Sequence, residues 1–168
     1  AKRRFYERFA NFLLIFAIWD IFYYIFLKVI LGWPASLMTW DILFLVPVPW
    51  TSPVIAPVIV SLTMIGLAAV IYKFQRNDKS FDIQTREWIL LISGAFIIFV
   101  SFIWDFLSFV FPIHNNYNHL SPIEKLMTLS AKYQPDTFNW WLFFVGLLVI
   151  ISCIYLIHTK NKKQTQLK

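Results

Sequence analysis

The chain predicts an all-α fold, a polytopic membrane protein built as a bundle of four transmembrane helices, and three observations predict it. Of its 168 residues, 59% are hydrophobic and only 14% are charged, where a soluble domain carries about 25% charged residues. The apolar residues form long runs of roughly 20, the length that crosses a bilayer core as a helix. Lys and Arg cluster beside those runs on alternate sides, the pattern that fixes topology. A transmembrane barrel is excluded, because its strands would read as alternating segments of about 10 residues.

Span one, residues 9–31, follows Lys2, Arg3, Arg4 and Arg8 and ends at Gly32-Trp33-Pro34. At 1.5 Å per residue it reaches about 34 Å, enough to cross with some tilt. A cleaved signal peptide is the competing reading, but its apolar core would be too long and would contain Asp20 and Lys28. Residues 36–46 are apolar yet too short to span, and predict a short interfacial or re-entrant helix halted by Pro47. Span two, residues 53–74, emerges from a proline run. Ser52 is its expected N-cap with Pro53 in the first position, unless Pro57 bends the helix or marks its true start. Pro47, Pro49, Pro53 and Pro57 are therefore a candidate helix break, of the kind transporters use to hold ions. A rigid turn into span two is the plainer reading. Span three, residues 88–111, stops at Pro112, and span four covers 140–158. Between them Ser121-Pro122-Ile123-Glu124 carries the capping-box pattern and predicts a surface helix through Lys132. Residues 1–160 are read as one membrane domain and 161–168 as a mobile cytoplasmic tail.

Charge gives the orientation. Lys2, Arg3, Arg4 and Arg8, then Lys73, Arg76, Lys79 and Arg86, then Lys160, Lys162, Lys163 and Lys168 fall on one side of a four-span chain. Lys125 and Lys132 fall on the other, so both termini are expected in the cytoplasm, across a bacterial inner (plasma) membrane. Trp33, Trp40, Trp50, Trp140 and Trp141 then lie near the outer surface and Trp88 near the inner one, as interfacial belts require. These clusters account for the net charge of +6 without a nucleic-acid partner. Membrane lipids are the expected partners of the basic clusters.

The intramembrane carboxyls carry the candidate chemistry. An ionised Asp near the bilayer centre costs about 2.5–3.5 kcal/mol on insertion scales, so Asp20 needs a polar partner, water or a proton. Asp20, Tyr24 and Lys28 are spaced to form one stripe on span one; Ser101, Asp105 and Ser108 form another on span three, with Gly94 on the same face. Small and polar residues gather at helix contacts in lipid, so the two stripes are expected to face each other as one polar network. Counting residues from the outer ends puts Lys28 and Asp105 within about 5 Å in depth and predicts an ion pair between them. Snorkelling to the headgroups is the alternative for Lys28. Asp20 lies deeper and is either a proton or cation site or a carboxyl that fixes helix register. Asp41 is expected at the interface, capping the short helix. Trp-Asp recurs at 19–20, 40–41 and 104–105, a faint repeat that chance produces easily among eight tryptophans.

Other chemistry is sparse. His114 and His119 with Glu124 are weak metal candidates, since a five-residue spacing does not put both imidazoles on one helical face. All three histidines, His158 included, lie at membrane edges and offer no pair for a haem. With four glycines and the single Cys153, the chain has no phosphate loop, cysteine pair or Ser/His/Asp set. No cofactor and no catalytic residue are expected, and an enzyme is the minority reading. The expected function is an accessory or scaffold subunit that self-associates or joins a larger membrane complex, with 18 Phe supplying wide apolar faces. The alternative is a small proton- or cation-coupled transporter working through Asp20, Asp105 and Lys28.

Overall fold

The structure, a computed structural model, describes residues 2–46, 48–77, 81–113 and 121–166. In chain order its elements are α1 (Lys2–Leu31), β1 (Trp40–Phe44), β2 (Trp50–Pro53), α2 (Ile55–Asn77), α3 (Thr85–Ile113), α4 (Pro122–Lys132) and α5 (Trp140–Gln166). Helices α1, α2, α3 and α5 are long and apolar enough to cross a membrane. Helices α1 and α3 start earlier than the apolar runs, and α2, α3 and α5 end later, because helix continues through polar flanks whose long cationic side chains can reach headgroups; α2 starts two residues late, at Ile55. Helix α5 accordingly runs on to Gln166, through residues that the sequence assigns to a tail. Helix α3 takes Pro112 into its last turn.

The bundle is two helix pairs, α1 along α2 and α3 along α5, with α2 and α5 meeting between them. The expected apposition of spans one and three is therefore corrected: each packs chiefly on another span. Gly94 shows why. A Cβ on Gly94 would stand 2.6 Å from Ile150 Cγ1, and one on Gly146 would stand 2.8 Å from the Gly94 carbonyl oxygen. These two glycines let the backbones of α3 and α5 approach closely, as small residues do in lipid. The small face of span three thus belongs to α5.

One end of the bundle holds the start of α1 and the later turns of α5. There Tyr6, Phe74, Phe81, Ile83 and Ile157 share a core, and the Tyr6 hydroxyl donates to Asp82 Oδ1 at 2.5 Å while accepting the Ile83 N–H at 3.1 Å. Lys160 Nζ pairs with Glu87 at 2.8 Å and donates to the Asp82 carbonyl at 3.0 Å. Glu87 is 1% exposed and also accepts the Gln84 N–H at 2.7 Å. A buried charge needs such a partner; here the partner ties α5 to the start of α3.

At the other end the structure corrects the short helix expected at 36–46. Residues Trp40–Phe44 and Trp50–Pro53 form an antiparallel hairpin, with Trp40 opposite Pro53, Phe44 opposite Trp50 and a bulge between Ile42 and Phe44. Aromatic and β-branched residues such as Trp40, Ile42, Phe44, Trp50 and Thr51 suit strands, and pairing them satisfies backbone groups near lipid. A lone hairpin is marginal in stability. This one is held because Thr51, Ser52 and Val54 are buried, and because the Trp50 ring meets Phe99 at 4.7 Å and Phe44 at 5.1 Å.

The candidate proline break is corrected with it. Pro53 closes β2, Pro49 lies between the strands, and Pro47 lies outside the described residues. Pro57 falls in the first turn of α2, where a backbone N–H has no intrahelical acceptor to lose. Helix α4 forms as expected. Ser121 is its N-cap and accepts the Glu124 N–H at 3.4 Å, while the Glu124 carboxylate accepts the Ser121 N–H at 3.1 Å.

Two outcomes follow for stability. Gly146→Ala forces its Cβ onto backbone and is expected to destabilise the bundle by about 1–3 kcal/mol. Gly66→Ala meets nothing within 4 Å and should be neutral or slightly stabilising; unfolding in mixed micelles compares the two. Hydrogen bonds from Ser121, first its hydroxyl and then its N–H, hold the Glu124 carboxyl below its ordinary value of 4.5. The cap therefore contributes fully above pH 4.5 and is lost as pH falls through the lowered value, read as faster amide exchange at the start of α4.

Candidate functional site

The polar residues of α1 point to three different partners. At its end Gly32, at φ 70°, turns the chain out of the helix, and its N–H donates to the Lys28 carbonyl at 3.1 Å, a left-handed C-terminal cap. Lys28 Nζ donates to the carbonyls of Pro34 at 2.8 Å and Gly32 at 3.3 Å. Its charge thus sits at the negative end of the helix dipole. The expected Lys28–Asp105 pair does not form; depth along a helix sets height but not direction, and α1 is turned toward α2.

Asp105, near the top of α3, is committed elsewhere. It is 9% exposed, and both its oxygens are filled. Oδ2 accepts the Tyr133 hydroxyl at 2.6 Å and the Asp136 N–H at 3.2 Å, and Oδ1 accepts the Thr137 hydroxyl at 2.9 Å and N–H at 3.3 Å. Tyr133 also shares a hydrogen bond with the Thr51 hydroxyl at 2.8 Å, which joins this clamp to the hairpin. Burial, with the bond to Asp105 second, pushes the Tyr133 phenol well above its usual range. Ser101 donates back to the Ile98 carbonyl of its own helix at 2.6 Å, and Ser108 is exposed. The network expected from span three is a structural clamp, and Ser101 and Ser108 take no part in it.

Asp20 and Asp41 stand differently. Asp20, half-buried, accepts the Ser61 hydroxyl from α2 at 2.8 Å on Oδ2, its one donor among the described residues. One helical turn further, Tyr24 donates to Asp41 Oδ2 at 2.8 Å, and Asp41 Oδ1 accepts the Ile42 N–H at 2.8 Å. Tyr24 precedes Leu31 by seven residues, so the hairpin reaches about 10 Å back along α1. The segment expected as a short interfacial or re-entrant helix thus lies beside α1 as strand. Both carboxyls line one cleft of about 310 Å³ together with the rings of Phe16, Trp19, Tyr23, Tyr24, Phe44, Trp50 and Phe102. A carboxylate has about four acceptor positions, and most of those on Asp20 are free to face the cleft.

Chemically, this arrangement pairs negative charge with aromatic faces, the combination that holds cations, quaternary ammonium groups above all. It brings together Asp20 and Tyr24 of the expected site and leaves out Lys28, Ser101, Asp105 and Ser108. Ser61 and Asp41 complete it. Asp41 is no helix cap, since the helix it was expected to cap is a strand; the only sequence sign of Ser61 is that it follows the connection from span one in the neighbouring span. His114 and His119 lie outside the described residues, and the Glu124 carboxylate is engaged in its cap.

The chain matches no protein-family model, no curated protein and no solved structure. The clamp generates a test of its own. Tyr133→Phe removes the hydroxyl that bridges Asp105 and Thr51 and is expected to cost about 1–3 kcal/mol. Protection of residues 133–139 from proteolysis should fall with it, while Lys28→Gln leaves that protection unchanged.

Proposed function

We propose that this is a small integral membrane protein that binds an organic ammonium cation in the Asp20–Asp41 cleft and carries it across the bilayer in exchange for protons. The observation that carries this reading is the convergence of two carboxyls, from α1 and β1, on one aromatic-walled cavity. In lipid a carboxyl is made neutral either by a proton or by a cation. At a single carboxyl the two exclude each other, and that exclusion is the basis of exchange. The Lys and Arg distribution supports cytoplasmic termini, with the hairpin and the cleft toward the outer half. Asp105 and Lys28, satisfied within the fold, have no place in this mechanism.

A second reading, the accessory or scaffold subunit, draws on α1. Its extensive packing within the chain is on α2, and Phe12, Ile15, Phe22 and Phe26 are exposed. One experiment separates the two. In proteoliposomes holding the full chain, a proton gradient should drive uptake of labelled tetramethylammonium. Loss of a charge-assisted contact of about 1.5–3 kcal/mol lowers affinity roughly 10- to 100-fold, so uptake should nearly vanish in Asp20→Asn and Asp41→Asn and persist in Lys28→Gln. No flux in the wild type, with a stable oligomer in native mass spectrometry, would favour the scaffold.

A further inference from the structure

We propose that the ligand is a single-chain cationic amphiphile, its headgroup at Asp20 and Asp41 and its tail in an apolar groove that continues the cleft toward the other end of the bundle. This rests on the cation-binding reading above and adds the chemistry of the rest of the molecule. The groove, of about 420 Å³, lies between the two helix pairs and is lined by residues such as Leu13, Met64, Leu91, Ala95 and Ile98. Trp50, Val60 and Phe102 line both cavities, so the two share a wall.

Their order along the bundle is the same on α1, α2 and α3, while α5 lines the groove alone. On α1 the cleft takes residues 16–24 and the groove Phe9 and Leu13; on α2 the cleft takes residues 57–61 and the groove 60–67. Along α3 the groove extends from Trp88 to Phe102, about 21 Å at 1.5 Å per residue. It offers a ligand almost nothing polar. The Thr63 hydroxyl is already donated to the Ile59 carbonyl at 2.9 Å, so only a hydrocarbon segment suits it. An acidic head site continuous with a long dry slot is complementary to one cation joined to one chain.

The test uses the full chain in nanodiscs with three probes: tetramethylammonium, dodecyltrimethylammonium and lauroylcholine, the last two also with a diazirine on the terminal carbon. Lauroylcholine should bind at least about tenfold more tightly than tetramethylammonium, and photolabelling should fall on groove residues of α2 and α3 around Met64 and Ala95. Ala95→Phe fills the groove and should weaken both long-chain probes while leaving tetramethylammonium unchanged. Labels spread over outward residues such as Phe12 and Phe22, and unmoved by Ala95→Phe, would overturn the proposal and mean that the groove holds ordinary lipid chains. If tetramethylammonium still binds in that case, only the tail assignment falls; if it does not bind, the cleft reading falls as well. Wild-type labelling decides the point even where a variant fails to fold.

Discussion

The structure depends on what a carboxyl requires where water is scarce. In hydrocarbon each unsatisfied polar group costs several kcal/mol, so every acid in the bundle is defined by its donors. Asp105 has four, and becomes a structural fixture that pins residues 133–137 to α3 and, through Tyr133 and Thr51, to the hairpin. Glu87 is similarly closed by Lys160 and the Gln84 N–H. Asp20, with Ser61 its one donor among the described residues, is left open toward a cleft. The same chemistry that makes one acid a rivet leaves another with acceptor positions unfilled, the opening on which the proposed cation site rests.

Packing determines where that opening lies. Gly94 and Gly146 draw α3 and α5 together, while α1 and α2 form the other pair. The seam between the pairs is not closed by small residues; it is lined by large side chains that leave the groove and the cleft between them. The hairpin enters this seam at one end, bringing Asp41 to Tyr24 and Trp50 to Phe99. A piece of sheet backbone at this depth is tolerable because its strands pair with each other and Asp41 takes up the Ile42 N–H.

Much of the fold was legible in the sequence. Four continuous apolar runs admit one solution in lipid, and Ser121, Pro122 and Glu124 spell a helix start that the structure reproduces. What could not be read was direction around each helix axis. An apolar run surrounded by lipid and other apolar helices carries little amphipathic signal, so the neighbours of Asp20 and Asp105 are not encoded in their spacing. Counting residues gave Lys28 and Asp105 similar heights, yet α1 turns its polar stripe toward Ser61 and Asp41. Residues 36–46 were misread for a related reason: a short apolar stretch suits helix and strand equally by periodicity. Only Trp40, Ile42 and Phe44, opposite Trp50 and Thr51 across the prolines, hinted at a hairpin. The clamp on Asp105 was hidden because its donors come from an irregular segment without a pattern.

The proposed site needs acceptor positions still open on Asp20, with one donor among the described residues, and on Asp41, with two, whereas Asp105 with four has none to offer. Infrared difference spectroscopy on the purified protein, recorded as tetramethylammonium is added, tests it through the carboxyl bands. The account predicts a ligand-induced band that disappears in Asp20→Asn and in Asp41→Asn and survives in Asp105→Asn. A spectrum without carboxyl change, or a band that disappears only with Asp105, would contradict it.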